Sequence, residues 1–81
     1  MKIKRAVEDT REIAEINQSG DHQTNAYRVG QYGVTKIVPY EEYGEQAFIT
    51  FIAVYRGDDI LVRLPAKDLV IIYKQPPANH N

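Results

Sequence analysis

Apolar residues concentrate in residues 47–74, where three runs are separated by turn-forming residues. The first two runs, AFITFIAVY and DILVRLP, flank a turn that contains Gly57 and Asp58, and the third run, LVIIYK, follows Pro-Ala-Lys-Asp. Glycine supplies the positive φ and aspartate the local hydrogen bonds that a tight hairpin turn needs. The pattern therefore predicts three consecutive antiparallel strands.

The distribution of apolar side chains along these strands predicts which faces are covered. In residues 47–56 both alternate sets of side chains are largely apolar, which favours a central strand covered on both faces. In the second strand Ile60, Val62 and Leu64 are expected to face the core, with Arg63 pointing outward. The third strand is again apolar on both sides, so a sheet this small must curl, bury a helix or form a homo-oligomer.

The polar middle of the chain predicts shorter elements. Residues 26–29 are typical of a brief strand, and the two glycines at positions 30 and 33 indicate a break or hairpin turn. Residues 34–38 are β-branched and predict another strand, which Pro39 either ends or places at a sheet edge. Residues 41–46 are predicted to form an exposed acidic turn.

The N-terminal segment predicts a helix by a weaker pattern. Asp9 precedes Glu12 by three residues, which is the spacing of a capping pair, and Ser-Gly at 19–20 supplies a stop. We therefore expect a short helix near residues 8–18, followed by a loop over residues 17–25. The alternatives are that residues 2–7 pair as an edge strand, or that the segment is flexible.

The strand order at the C-terminus resembles that of a known fold. A strand, a glycine-containing turn, a second strand, a proline-led single turn and a final strand, here from Phe48 to Tyr73, is similar to the end of SH3-like barrels. The paired tryptophan and the acidic loop with aromatics of proline-peptide-binding SH3 domains are missing. The resemblance therefore implies a small barrel and does not imply peptide binding.

One domain is expected from 81 residues. We predict a mainly β fold, either a small antiparallel meander or an SH3-like barrel of four to five strands, with the short N-terminal helix. The expected division is an N-terminal arm or helix over residues 1–25, the antiparallel β domain over residues 26–74 and a disordered tail over residues 75–81.

Composition and charge exclude several classes of protein. The net charge of −1, from ten basic and eleven acidic residues, argues against a dedicated nucleic-acid binder. No cysteine is present, which fits a reducing compartment. No apolar run reaches the roughly 20 residues that span a bilayer, and the basic N-terminus lacks the apolar core of a signal peptide. We expect a cytoplasmic protein without a membrane partner.

No group of residues predicts catalysis or metal binding. Asp21 and His22 have no second histidine in the part predicted to fold, and no nucleophile is paired with a base. The glutamates of the acidic turn lack the burial that catalytic carboxyls use. We therefore expect no enzymatic activity, no cofactor and no metal.

Tyrosine gives the strongest functional signal, because six tyrosines accompany only two phenylalanines and no tryptophan. Tyrosine is amphipathic and loses little side-chain entropy on contact, which suits interfaces. The alternative is that the tyrosines cap a small core and keep their hydroxyls in water. The predicted partner-binding residues are Tyr27, Arg28, Tyr32, Tyr40, Glu41, Glu42, Tyr43, Glu45 and Arg63.

A second resemblance bears on function. Lys-Ile-Val-Pro-Tyr at 36–40, Glu-Tyr-Gly-Glu at 42–45, Val-Tyr at 54–55 and Gly-Asp at 57–58 are similar to small accessory proteins of phages and mobile elements. The resemblance implies interference with a host system, in the cytoplasm of the host cell. The first functional prediction is therefore a non-catalytic protein-binding module, such as a phage-type inhibitor or modulator of a host protein.

The alternative function is binding of nucleic acid or a small nucleotide. Tyrosine rings would stack on bases, and basic side chains would contact phosphates. The residues predicted for this function are Tyr27, Tyr32 and Tyr43 for stacking, and Arg28, Lys36 and Arg63 for phosphate.

Overall fold

The computed structural model describes residues 3–18 and 26–75, and these residues form two antiparallel sheets. The first sheet has the order β1-β4-β5-β6 and the second β3-β2-β7. The strands are β1 (Lys4–Ala6), β2 (Ile13–Gln18), β3 (Ala26–Arg28), β4 (Lys36–Gly44), β5 (Ala47–Arg56), β6 (Asp59–Pro65) and β7 (Leu69–Tyr73). The prediction of a small, mainly β fold is confirmed. No helix in the described ranges has the length and apolar character needed to cross a membrane.

The C-terminal strands lie where the sequence predicts them. Gly57 has a φ of 64° in the β5–β6 turn, a conformation that glycine adopts without strain. A 3₁₀ turn over Ala66–Asp68 follows Pro65 and joins β6 to β7. However, β7 pairs with β2 of the second sheet and not with β6, so the meander of hydrogen-bonded neighbours ends at β6.

The core lies between the two sheets. Ile16, Ile52 and Val54 are less than 2% exposed, and they form one cluster with Ile13, Val34 and Ile37. Ala53, between two of these core residues, is also buried, so β5 is covered on both faces there, as expected. Near the N-terminal end of β5 the strand is not covered on both faces, as the 45% exposure of Ile49 shows.

The predicted helix over residues 8–18 is wrong, because residues 13–18 form β2, the central strand of the second sheet. Ile13 and Ile16 are both buried although their three-residue spacing is typical of a helix. A β-bulge between Ile13 and Glu15 leaves Ala14 without a pairing partner on β7, so both isoleucines face the core from a strand. The alternative edge strand agrees with β1, which pairs with β4 at the edge of the first sheet.

Hydrogen bonds of β1 and β2 join the N-terminal segment to the later strands, since β1 pairs with β4 and β2 with β7. Asn17 and Gln18, expected in a loop, belong to β2. The rest of that loop, residues 19–25 with Asp21 and His22, lies outside the described residues, as do all residues of the predicted 75–81 tail except the first.

β4 does not end at Pro39, contrary to one expectation, and runs to Gly44. The Tyr43 N–H donates to the Ile3 carbonyl at 2.8 Å, so alternation aims the odd-numbered amides of this part of β4 toward β1. Since β1 pairs only as far as Tyr40, the proline nitrogen lies beyond its end. The missing N–H therefore costs no hydrogen bond to β1.

The predicted acidic turn over residues 41–46 is also wrong, since only Glu45 and Gln46 form the turn between β4 and β5. Glu41 and Glu42 lie in β4, and Glu42 is only 4% exposed. The acidic residues stay in the strand because they alternate between its two faces, where basic side chains from β1 and β6 reach them.

Ile60 does not face the core, whereas Val62 and Leu64 pack against it as predicted. The register shifts so that Val62 pairs with Val54 while Ile60 pairs with Tyr55, which leaves Leu61 as an extra residue. Because one extra residue reverses the alternation, Ile60 turns to the opposite face and is 49% exposed.

Candidate binding surface on the first sheet

The face of the first sheet that points away from the core is named the outer face. Strand alternation defines it, because Ile52 and Val54 point into the core and their neighbours along β5 point outward. The pairing register then assigns the other strands. The outer face includes Lys4, Lys36, Tyr40, Glu42, Ile49, Phe51, Tyr55, Ile60 and Arg63.

Aromatic rings and cations alternate on this face. Tyr40 and Phe51 are direct partners across β4 and β5, and their rings stack with centroids 5.8 Å apart and planes at 23°. The Lys4 Nζ lies 5.6 Å from the Tyr40 ring centroid, and the Lys36 Nζ lies 4.6 Å from that of Tyr55. Such ammonium groups are attracted by the ring quadrupole.

Arg63 links the centre of the outer face. Its Nη1 donates to the Tyr40 hydroxyl at 2.9 Å and to Glu42 Oε1 at 3.4 Å. Its guanidinium carbon lies 5.1 Å from the Phe51 ring centroid. Arg63 starts on β6 opposite Ala53, so its side chain crosses β5 to reach β4. The methyl side chain of Ala53 leaves room for that crossing.

Glu42 is buried although it lies on the outer face. Its side chain is 5% exposed, and Lys4 is its pairing partner on β1. A buried carboxylate is costly unless charged or hydrogen-bonding groups compensate it. Every buried side-chain nitrogen and oxygen in the described part of the chain has a hydrogen-bond partner. Glu42 therefore helps to hold Arg63 in one position beside the rings.

The opposite face of the same hairpin carries a second cluster. Arg5 Nε lies 2.6 Å from Glu41 Oε1, and its guanidinium carbon lies 3.5 Å from the Phe48 ring centroid. Tyr43 meets Phe48 edge-on at 5.3 Å between centroids. Glu41 and Tyr43 are therefore on the other side of β4 from Tyr40.

The remaining predicted residues are scattered. Tyr27 packs against the core. Arg28 Nε lies 2.9 Å from Glu15 Oε1 on the second sheet. Hydrogen bonds lower the pKa of Glu15, the larger effect coming from Arg28 and the smaller from the asparagine two residues after Glu15 in β2. Tyr32 is 94% exposed in a turn with a φ of 54°, and Glu45 lies in the β4–β5 turn.

Of the predicted set, the structure brings together Tyr40, Glu42 and Arg63. Sequence reasoning missed Phe51, although counting outward from a turn at 45–46 pairs it with Tyr40. Placing the acidic residues in a longer turn hides that signal. The local sequence contains no signal that places Lys4 on this face, because its pairing with Glu42 joins distant parts of the chain.

A separate cleft of about 510 Å³ lies between residues 6–13 and the start of β4. Four of the five charged residues that line it form two ion pairs. Arg11 Nη2 lies 2.6 Å from Asp9 Oδ2, and hydrogen bonds from Arg11 lower the pKa of Asp9 to about 2. Lys74 Nζ lies 3.0 Å from Glu12 Oε1. No group of three or more potential metal-ligating residues occurs in residues 3–18 and 26–75.

Comparison with protein-family models, curated proteins and solved structures found no match to this chain. The geometry of the outer face is therefore the basis for assigning a function.

Proposed function

We propose that this protein is a non-catalytic protein-binding module that uses the outer face of the first sheet. The observation that supports the proposal is the arrangement of Arg63 between Tyr40, Phe51 and Glu42. Aromatic residues and arginine are enriched in the centres of protein interfaces and among the residues that dominate binding energy. Because contacts within the protein already fix the Arg63 side chain, binding of a protein ligand would cost little additional side-chain entropy.

The edges of the outer face indicate the chemistry of the partner. Ile49 and Ile60 are 45% and 49% exposed, one near each end of the face. Lys4 and Lys36 are exposed cations beside the aromatic rings. We therefore propose a partner with an apolar patch flanked by acidic groups.

The biological setting in this proposal is modulation of a host protein in the cytoplasm. It rests on the resemblance of residues 36–58 to phage and mobile-element accessory proteins. An acidic, apolar patch on a host protein would be the target.

Affinity capture with the wild-type chain, followed by titration of the purified partner, tests the proposed function. Ile49→Asp puts a charge on the outer face at a position that is 45% exposed and lies opposite Glu42 in β4, so circular dichroism of the variant first verifies the fold. We expect this variant to weaken partner binding at least about tenfold, since an unpaired charge would be desolvated at the interface.

The matched control is the double variant Val70→Lys/Ile72→Lys, which changes exposed apolar residues of the second sheet. It should retain the partner with an unchanged Kd for each single binding site. A partner that binds Ile49→Asp and wild type equally well would refute the proposed surface.

Nucleic-acid binding is the second candidate, favoured by three cations that lie over aromatic rings on one face. Two observations weigh against it. The Glu42 carboxylate lies within the cluster, where it would repel phosphate, and Tyr40 and Phe51 are half-buried.

Titration of single-stranded oligonucleotides at low and moderate salt distinguishes the two functions. Tight binding at low salt that falls steeply with salt would support nucleic acid. For a protein-binding module we expect weak binding at both salt concentrations, and the Lys36→Ala variant should then behave like wild type.

A further inference from the structure

The sheets end in strands that differ in how well their open edges are protected. In the described part of the chain these end strands are β1, β6, β3 and β7. β1 and β3 have three residues each and carry charged side chains. β6 contains Arg63, Pro65 and the bulge at Leu61. Short length, charge, proline and bulges are the features that prevent edge strands from pairing with another chain.

β7 has none of these features. Its sequence, LVIIY, contains no charge, proline or glycine, and the register shift in its pairing with β2 comes from an extra residue on β2. Its outward side chains, Val70 and Ile72, are 52% and 44% exposed. An unprotected apolar edge strand of this kind pairs with another strand or aggregates.

The backbone of β7 has groups available for such pairing. The Lys74 N–H donates to the Glu12 carbonyl at 2.8 Å. Because hydrogen bonding alternates along an antiparallel strand, Ile72 and Val70 also direct their backbone groups to β2. The N–H and C=O groups of Leu69, Ile71 and Tyr73 then point to the open edge.

We infer that β7 is the interface of a homodimer, in which β7 pairs antiparallel with β7 of a second copy about a two-fold axis at Ile71. The two second sheets then join into one six-stranded sheet. Ile71 pairs with Ile71 of the second copy, and Leu69 of each copy pairs with Tyr73 of the other. The residues of each of these pairs exchange backbone hydrogen bonds. Val70 meets Ile72 of the second copy on the outward face, which covers both exposed side chains.

Charge complementarity favours a second copy of the chain as the partner that pairs with the open edge of β7. Asp68, the last residue of the 3₁₀ turn, directly precedes β7, and Lys74 directly follows it; both are exposed. The Lys74 Nζ lies 3.0 Å from Glu12 Oε1 of its own chain, and its three donors allow it to contact a second carboxylate as well. An antiparallel pair centred on Ile71 brings Asp68 of each copy opposite Lys74 of the other. The strand is thus self-complementary in its apolar and charged positions, as a two-fold interface requires.

Mass measurement by light scattering across a range of protein concentrations tests the dimer. We expect the wild-type chain to have twice its 9.3 kDa mass. Val70→Lys/Ile72→Lys places lysines on the edge and should give a folded monomer. Ile49→Asp, on the outer face of the first sheet, is the matched control and should remain dimeric, so this inference and the proposed function can fail separately.

Charge reversal tests the register. Asp68→Lys and Lys74→Asp should each weaken the dimer about tenfold, because each replaces two symmetric attractions by repulsions. Lys74→Asp also removes the Lys74–Glu12 pair within the chain, so circular dichroism verifies that this variant is folded. The double variant Asp68→Lys/Lys74→Asp should restore most of the wild-type affinity. A dimer that is insensitive to both single reversals, or a double variant without recovery, would overturn this register.

Amide hydrogen exchange of the wild-type chain tests the pairing of β7 with β7 even if the lysine variant fails to fold. In the wild-type dimer the Ile71 N–H should be protected, and it should lose this protection on dilution to monomer, while Ile72 stays protected by β2. A monomer at every concentration, or an Ile71 N–H that exchanges rapidly in the wild-type dimer, would contradict the inference.

Discussion

At the scale of single residues, Arg63 and Glu42 depend on each other. Glu42 is nearly inaccessible to water, and the Arg63 side chain, which is 38% exposed, lies 3.4 Å from it. Arg63 also holds the Tyr40 hydroxyl, so the position of one guanidinium sets the geometry of the outer face.

Replacement of Arg63 should therefore destabilise the protein. We expect Arg63→Met to lower the free energy of unfolding by about 1–3 kcal/mol, because it removes a charged partner of a buried carboxylate. Urea denaturation measures the change. Arg28→Met removes an ion pair with the more accessible Glu15 and should cost clearly less than Arg63→Met. Equal losses in the two variants would contradict the role given to Glu42.

Glu15 makes stability depend on pH. Hydrogen bonds, first from Arg28 and then from Asn17, lower its pKa below the usual 4.5. The unfolded chain therefore takes up a proton at this carboxyl before the folded chain does. The stabilisation is complete above pH 4.5 and is lost as pH falls through the lower folded-state pKa.

Glu15→Gln should flatten the stability profile below pH 4.5, as measured by urea midpoints at successive pH values. Asp9→Asn is the control. The pKa of Asp9 is lowered from 3.8 to about 2, so the stability that Asp9 contributes is lost only below about pH 3.8. If wild type and Glu15→Gln lose stability in parallel between pH 5 and 3, the ion pair does not contribute.

At the scale of secondary-structure elements, two β-bulges decide which side chains reach the core. The bulge at Ala14 brings both Ile13 and Ile16 inward, and the bulge at Leu61 turns Ile60 outward. A bulge changes the alternation by one residue, so its effect on side-chain position is as large as that of a register slip.

Deletion of Ala14 should leave the fold intact. The strand then becomes regular, and Ile13 takes the inward position two residues before Ile16, so we expect a loss below about 2 kcal/mol. Deletion of Ala53 is the matched control. It breaks the register of β5 against β4 or β6 and moves Ile52 or Val54 out of the core, at about 2–5 kcal/mol for each.

Circular dichroism and urea denaturation of the two deletions measure this difference. A folded Ala53 deletion together with an unfolded Ala14 deletion would mean that the bulge is not at Ala14.

The same bulges explain what sequence reasoning could and could not predict. β5, β6, β7 and their turns were predictable because apolar runs and turn residues are local signals. β2 was not, because the bulge gives Ile13 and Ile16 the spacing of a helix. The grouping of Tyr40 with Phe51, Glu42 and Arg63 depends on registers across three strands, and the length of one turn was enough to obscure it.

At the scale of the whole molecule, the two proposed interfaces lie on different sheets. The outer face belongs to the first sheet, and β7 is the end strand of the second. A dimer through β7 would therefore leave both outer faces open and present two copies of the binding surface. A partner with two sites would then bind with higher avidity than a single module allows.

The most direct test of the outer face is an amide-exchange footprint of the complex with the captured partner. We expect new protection in β4 and β5 around Tyr40, Glu42 and Phe51, and in β6 around Arg63. Protection confined to the turn at Tyr32, to the second sheet around Arg28, or to β7 would contradict the assignment of this face as the binding surface.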